Sequence, residues 1–207
     1  MIKNKSHKKP NLSNITQKWV NMLLPFSADY SCRFSASDLA RISKVPQQTA
    51  SRCLNGLVKL NLIDYKKEGR NKLFYFDLRK HTSIIILNII ECHKAMLFQL
   101  KMKEISVIIN EILKNCESLA VFGSYAYGNF SKDSDLDMVI LGKFDKEQIK
   151  KIKQKQIIEI NEHYASYSDF KKILASKNPL AIEIMKNHIL FGDISRITNI
   201  FMESANG

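Results

Sequence analysis

The chain has 207 residues, 45% of them hydrophobic, which is enough for one large domain or two small ones with ordinary cores. No apolar run approaches the roughly 18 residues of a membrane span, and the N-terminus lacks an apolar signal core. The four cysteines are scattered without metal-site spacing, which favours buried, reduced thiols. We therefore expect a cytoplasmic protein that has no membrane partner.

The net charge of +12 is unevenly distributed along the chain. Residues 1–81 carry 16 Lys and Arg against 5 Asp and Glu, an excess of +11, whereas residues 82–207 carry 16 against 15, an excess of +1. Solubility alone would not require this segregation. It indicates a nucleic-acid-binding module joined to a nearly neutral second domain.

Residues 1–11 form a basic arm without apolar periodicity, which we expect to be flexible. From residue 12 the apolar spacing becomes helical: Ser13 caps a first helix that Pro25 ends, and a second helix begins near Ser37 as its N-cap. A third helix follows over residues 47–60, with its apolar side chains on one face. Two short strands around a turn that contains Gly69 then predict a β-hairpin.

This order of elements, together with the stretch 46–63, resembles the winged helix-turn-helix domain of bacterial and archaeal transcriptional regulators, over residues 12–81. The resemblance implies binding of double-stranded DNA, with the third helix in the major groove and the hairpin against phosphate. The implied groove-facing residues are Gln47, Gln48, Thr49, Ser51 and Arg52. The implied phosphate-binding residues are Lys66, Lys67, Arg70 and Lys72. The alternative is a domain that only mediates protein contacts.

Residues 82–116 show helical spacing without Gly or Pro and predict either one long helix or two with a bend near residues 101–104. Their apolar stripe includes Ile85, Ile89, Cys92, Met96 and Leu100. Such a stripe can pack on the second domain or on another subunit, and two DNA half-sites would require a two-fold symmetric dimer. We therefore expect a helical linker and a homodimer, with packing inside one chain as the alternative.

The second domain, over residues 117–207, contains two apolar strands that enclose a Gly-Ser turn and a pair of carboxylates. The first strand ends at Phe122, and Gly123-Ser124 follow at once, where a helix can begin with free N–H groups that favour phosphate. Asp135 and Asp137 open the second strand and share one of its faces, because side chains alternate along a strand. Two carboxylates beside a phosphate cradle suit a divalent metal with a nucleotide.

The run Gly-Ser-x-Ala-x-Gly, followed by Ser-Asp-x-Asp inside a strand, resembles the polymerase-β-like nucleotidyltransferases, most closely their minimal branch. The resemblance implies an α+β fold whose mixed sheet has flanking helices. It also implies that Asp135 and Asp137 hold Mg²⁺ and that Gly123 and Ser124 bind the phosphates of an NTP.

The family uses a third carboxylate on a neighbouring strand, and the third strand here is predicted over residues 157–165. Glu159 is its best candidate for that carboxylate. Alternation places Asn161 and His163 on the same face, and if either of them is the true equivalent, the third carboxylate is missing.

Three functions follow from this combination of domains. The first is a DNA-binding enzyme that transfers a nucleoside monophosphate from NTP to an acceptor. The second is a transcriptional regulator whose nucleotidyltransferase-like domain binds a nucleotide or a partner without catalysis. The third is an antitoxin that modifies a small helical toxin and represses its own promoter.

Overall fold

The computed structural model describes residues 17–206, which form two β-sheets and the helices around them. The basic arm predicted at residues 1–11 and the predicted cap Ser13 lie outside the described residues. The mixed α+β class expected from the sequence is confirmed.

The N-terminal half contains three helices and a small sheet. Its α-helices and strands are α1 (Gln17–Leu23), β1 (Phe34–Ser35), α2 (Ala36–Ile42), α3 (Gln47–Lys59), β2 (Asp64–Glu68) and β3 (Asn71–Tyr75). The α-helical part of the first helix ends at Leu23, and a 3₁₀ helix over Leu24–Ala28 takes Pro25 in its first turn. Antiparallel pairing gives the strand order β1-β3-β2, so the predicted hairpin is confirmed.

Helix α2 begins two residues earlier than predicted. Its N-cap is Ser35, whose Oγ accepts a hydrogen bond from the Asp38 N–H at 3.1 Å. Asp38 completes a capping box, because its carboxylate accepts from the Ser35 N–H at 3.1 Å. The predicted cap, Ser37, lies inside the helix and accepts a hydrogen bond from Gln47 Nε2 at 2.8 Å.

Two helices follow, α4 (His81–Lys101) and α5 (Lys103–Leu113). They are separated at Met102, whose φ of −114° and ψ of 62° are not helical, so the predicted bend near residues 101–104 is confirmed. Among the described residues, α4 alone is long and apolar enough to cross a membrane, a test that a core helix also passes. Helices α1 and α4 pack together, as do α4 and the 3₁₀ helix.

The C-terminal half is built on a four-stranded sheet. Its elements are β4 (Cys116–Val121), α6 (Gly123–Tyr127), β5 (Leu136–Phe144), α7 (Lys146–Lys153), β6 (Ile160–Ala165), α8 (Tyr167–Ala175), α9 (Pro179–Lys186), β7 (Ile189–Gly192) and α10 (Ile194–Asn206). The strand order is β6-β5-β4-β7, in which only β5 and β6 run parallel.

Three local features of this half go beyond or differ from the sequence prediction. Strand β6 begins at Ile160 rather than at residue 157, because the Ile157 side chain is fully exposed before the sheet starts. Helix α8 is capped by Ser166, whose Oγ accepts from the Asp169 N–H at 3.1 Å. Helix α10 was not predicted, although the buried Ile197, Ile200 and Phe201 give it a helical spacing.

The two halves share one hydrophobic core. Phe26 of the 3₁₀ helix, Leu87 of α4, Leu190 of β7 and Phe201 of α10 belong to the same buried cluster. A second cluster on the opposite side of the C-terminal sheet joins α5 and α7 to β4 and β5. Helix α4 therefore contributes to the packing of both halves.

A buried polar group connects the same elements. Glu91 of α4 is fully buried, accepts a hydrogen bond from the Tyr30 hydroxyl at 3.0 Å and pairs with Lys94 at 3.1 Å. His188, just before β7, lies with its Nε2 3.2 Å from a Glu91 carboxylate oxygen. Burial alone would raise the pKa of Glu91, but attraction to Lys94 and His188 lowers that pKa to about 2.

Burial and the charge of Lys94 lower the pKa of His188, and Glu91 only partly opposes them. At neutral pH His188 is therefore uncharged, and Lys94 is the cation that keeps Glu91 ionised. The four residues Tyr30, Glu91, Lys94 and His188 are called the Glu91 cluster below.

Candidate functional site

The two carboxylates predicted to act together do meet in the structure. Asp135 immediately precedes β5, Asp137 is the second residue of that strand, and both are half-buried. The Asn161 Nδ2 donates to Asp135 Oδ2 at 3.1 Å and lies 3.4 Å from Asp137 Oδ1. Both carboxylates therefore converge on one amide group, which offsets their mutual repulsion.

The Gly-Ser turn packs directly against this acidic pair. Gly123 has a φ of +63°, and a Cβ at this position would collide with the carboxylate of Asp137. The Phe122 N–H donates to the Asp137 carbonyl at 3.0 Å, which fixes the turn beside β5. Both the backbone conformation and the space that Asp137 occupies therefore favour glycine at this position.

Helix α6, which starts at this turn, is only five residues long. It ends at Gly128, whose φ is +77° and whose N–H donates to the Ser124 carbonyl at 2.9 Å. So short a helix has only a small dipole, which weakens the expected attraction of its N-terminus for phosphate. Phosphate binding by Gly123 and Ser124 stays a prediction.

The structure corrects the expected position of the third acidic group. The register of the parallel pair β5 and β6 sets Asn161, rather than Glu159, beside Asp137. Glu159 precedes β6, its side chain is exposed, and its carbonyl accepts from the Leu136 N–H at 2.8 Å. Within residues 17–206, no group of three or more His, Cys, Asp and Glu side chains is arranged to hold a metal ion.

His163, the other alternative on this face, is exposed two residues further along β6. Its ring centroid lies 6.0 Å from that of Phe122. Asn161 is therefore the β6 residue that contacts the acidic pair.

The donor set present is compatible with Mg²⁺. This ion is usually held by one or two carboxylates together with water and substrate phosphates, and it accepts amide oxygens as well. Asp135 and Asp137 supply the carboxylates, and the Asn161 amide, whose Nδ2 faces both of them, would present its oxygen to a cation once the amide is rotated.

An aromatic pair borders the site next to Asp135. Tyr125 stacks on Phe130 with ring centroids 4.7 Å apart and an interplanar angle of 6°. Burial, with a smaller contribution from the charge of Asp135, raises the pKa of the Tyr125 hydroxyl. Tyr125 therefore stays a neutral hydroxyl beside the acidic pair.

The same two aromatic residues line a groove of about 1140 Å³ that sequence reasoning missed. The lysines of this groove are Lys101, Lys103, Lys132 and Lys155. All four are exposed, and none makes an ion pair with another described residue. Lys101 and Lys103 flank the helix break at Met102, whereas Lys132 and Lys155 lie 29 and 52 positions after Lys103, so no local motif in the sequence indicates the groove.

The residues predicted to face DNA from the third helix lie mostly on the surface. Gln47, Gln48, Thr49 and Arg52 are exposed in the first half of α3, while its apolar residues face the core. Ser51 is half-buried, and its hydroxyl lies 3.3 Å from Asn55 Nδ2.

The hairpin residues divide into free and engaged side chains. Lys67 and Arg70 are exposed, and Lys66, also exposed, lies 3.8 Å from a Glu68 carboxylate oxygen. Lys72 instead donates to Asn55 Oδ1 of α3 at 3.1 Å and lies 4.3 Å from the Tyr65 ring centroid. Lys72 therefore connects the hairpin to α3 through this hydrogen bond.

Comparison with known proteins concerns the second half of the chain. Residues 102–191 match a family model described as a nucleotidyltransferase domain. The match supports the presence of a nucleotidyltransferase domain in this range. It supports nucleotidyl transfer as the general type of activity, without specifying a substrate. The matched range includes α5 as well as Asp135, Asp137 and Asn161. No curated protein and no solved structure matches the chain.

Proposed function

We propose that the protein is a DNA-binding, Mg²⁺-dependent nucleotidyltransferase that moves a nucleoside monophosphate from NTP to an acceptor. The observation that carries this proposal is the convergence of Asp135 and Asp137 on one point, against a turn where a Cβ on residue 123 would collide with the Asp137 carboxylate. The family match over residues 102–191 supports the same activity.

Each group of residues in the site has a separate role in this proposed reaction. Asp135, Asp137 and Asn161 would hold Mg²⁺, which supplies charge neutralisation at the phosphoryl group when bound. Gly123 and Ser124 would orient the phosphates through backbone N–H and hydroxyl donors. The four unpaired lysines of the neighbouring groove raise the local concentration of anionic substrates.

The direct test is transfer of label from radiolabelled ATP or CTP, with Mg²⁺, to the protein itself or to nucleic acid and protein acceptors. The double variant Asp135→Asn/Asp137→Asn should lose transfer by at least about 100-fold, because a preorganised charge contact contributes that much. Asp133→Asn is the matched control, since this exposed aspartate lies outside the pair. Transfer that survives in the double variant would reject the assigned site.

A second candidate function is a regulator that binds nucleotide without turnover. It is favoured by Asn161, which occupies the place where a third carboxylate was expected. In that case the wild-type protein binds Mg²⁺ and NTP through the acidic pair, yet no acceptor becomes labelled. Nucleotide binding measured beside transfer therefore separates the two candidates.

For the N-terminal half we propose a winged helix-turn-helix that binds double-stranded DNA. The support is the order of α1, α2, α3 and hairpin, the three-stranded sheet, and the excess charge of +11 in residues 1–81. Exposed Gln and Arg side chains on α3 are able to read adenine and guanine edges, whereas the hairpin cations suit phosphate.

Duplex binding measured against salt concentration tests this part. Lys67→Ala and Arg70→Ala should each weaken binding uniformly across sequences and lower the salt slope by about one. Gln48→Ala and Arg52→Ala should instead relax sequence preference. A binding constant that does not change with salt would reject the DNA-binding proposal.

The antitoxin function requires a small helical partner. It predicts that a neighbouring gene encodes such a protein and that the protein becomes labelled in the transfer assay. If the partner is bound but not labelled, the regulator without turnover is favoured.

A further inference from the structure

Helix α4 carries an apolar surface that no other part of residues 17–206 covers. Its exposed large hydrophobic side chains are Ile85 at 47%, Ile89 at 42%, Met96 at 48%, Leu97 at 41% and Leu100 at 67%. Cys92 is also exposed in the middle of this set. Between residues 82 and 100, every exposed side chain of α4 is apolar or cysteine.

The spacing arranges these side chains in one line. Ile85, Ile89, Cys92, Met96 and Leu100 follow at intervals of four, three, four and four residues, which keeps them on one face of an α-helix. The line is about 22 Å long, at 1.5 Å per residue. These five residues together with Leu97 are called the α4 stripe.

The opposite face of α4 packs against the rest of the chain. Ile86, Leu87 and Ile90 are buried in the core shared by the two halves, and β7 and α10 pack against the helix. Within the described part of the chain, the stripe is therefore not a core surface. An exposed apolar patch of several hundred Å² on a folded protein typically marks an interaction site.

We infer that the α4 stripe is the interface of a two-fold symmetric homodimer, in which α4 packs antiparallel against α4 of a second copy. With the two-fold axis between positions 92 and 93, Ile85 of one copy faces Leu100 of the other, and Ile89 faces Met96. The same patch thus complements itself, as an isologous interface requires.

The charges of the helix are compatible with this pairing. Lys94, the half-buried cation near the axis, is already paired with Glu91 at 3.1 Å, so the dimer leaves no new unpaired charge at its centre. The exposed polar residues of α4, His81 and Lys101, stand at its two ends. Antiparallel helices also oppose their dipoles favourably.

The size of the α4 stripe determines how tightly we expect the dimer to associate. Two such patches would bury on the order of 1,000 Å² in total, at the lower end for specific interfaces. We therefore expect a reversible dimer with a dissociation constant on the order of 1 to 100 μM. A bilayer is a poorer occupant, because the opposite face of α4 is held by the rest of the chain and contains the buried Glu91.

Sedimentation velocity of the full chain between about 1 and 200 μM tests the association. The wild type should shift from monomer to dimer, whereas Met96→Glu/Leu100→Glu should stay monomeric throughout, at least a tenfold weakening. Both positions are exposed, so the variants should fold, which circular dichroism checks. Ile42→Glu is the matched control, because Ile42 is 49% exposed on α2 outside the stripe.

The antiparallel geometry is tested by a short bis-maleimide cross-linker. Cys92 lies next to the proposed axis, so the wild type should give a covalent dimer, and Cys92→Ser or the double glutamate variant should not. A wild type that is monomeric at 200 μM, or a double glutamate variant that dimerises equally well, overturns the inference. A monomer that floats with phosphatidylcholine vesicles would assign the stripe to a bilayer instead and would also overturn it.

Discussion

Gly123 connects the backbone conformation of a turn to the position of a charged group. Gly123→Ala should displace the Asp137 carboxylate and lower affinity for Mg²⁺ and nucleotide by about tenfold or more. The left-handed φ should also cost about 1 kcal/mol of unfolding free energy. Isothermal titration with a Mg²⁺–nucleotide and chemical denaturation measure the two effects.

Gly69→Ala separates these two effects. Gly69 has a similar φ of +60°, but a Cβ there meets nothing within 4 Å. This variant should lose a comparable amount of stability and retain nucleotide affinity. If both variants bind nucleotide as the wild type does, the role assigned to Gly123 is wrong.

Asn161 is the residue that replaces an expected acid. Asn161→Asp should remove a hydrogen bond shared by two carboxylates and add a third negative charge, at a cost of about 2 kcal/mol without metal. Mg²⁺ should then raise the melting temperature more in the variant than in the wild type. Transfer activity should rise if the missing acid limits turnover.

His163→Asp provides the control for Asn161→Asp, since it places a carboxylate on the same strand at an exposed position paired with Val139 rather than with Asp137. Its melting temperature should respond to Mg²⁺ as that of the wild type does. An equal Mg²⁺ response in all three proteins would show that β6 does not contribute to a metal site.

The cap of α2 distinguishes two serines that look alike in the sequence. Ser35→Ala should lower the free energy of unfolding by about 1 kcal/mol, because the Asp38 N–H loses its acceptor. Ser37→Ala should cost less, since Ser37 makes only an exposed hydrogen bond with Gln47. Urea denaturation of both variants measures the difference, and a reversed order would show that the capping box is not formed.

The elements themselves were largely predictable, and their ends were not. The apolar run before Gly123 and the run after Asp135 predict β4 and β5 because buried strands exclude polar residues. Helix α10 was not predicted although its sequence carries a cap signal: Asp193 directly precedes the helix, and its carboxylate accepts from the Arg196 N–H at 3.1 Å. The start of β6 depends on which residues pair with β5, and Ile157 and Ile158 look equally suited to a strand.

The part of the site that depends on residue spacing within one strand was predictable from the sequence. Two residues of one strand, Asp135 and Asp137, share a face whatever surrounds them. Whether Glu159 or Asn161 meets them depends on the register between two strands, which only the packed sheet fixes. The Glu91 cluster joins residues up to 158 positions apart, so no motif could indicate it.

The Glu91 cluster makes the stability of the folded chain sensitive to acid. The lowered pKa of His188 means that the unfolded chain binds its proton more readily, so stability falls as the pH drops below about 6.5. This residue can contribute a slope of at most about 1.4 kcal/mol per pH unit. Glu91 adds a second loss of stability only at pH values below 4.5, the ordinary pKa of a glutamate carboxyl.

Denaturation between pH 7.5 and 5.0 measures this slope. His188→Gln should flatten it, whereas Tyr30→Phe should lower stability by removing a hydrogen bond and leave the slope in place. An unchanged slope in His188→Gln would assign the acid sensitivity to other groups.

The core shared through α4 limits how this chain can be rearranged in evolution. Phe26 precedes α4, Phe201 lies in the last helix, and both pack in the cluster that Leu87 completes. Recombination that exchanged one half for an unrelated domain would expose apolar surface on the half that remained. We therefore expect the two halves to be inherited as a unit rather than as interchangeable modules.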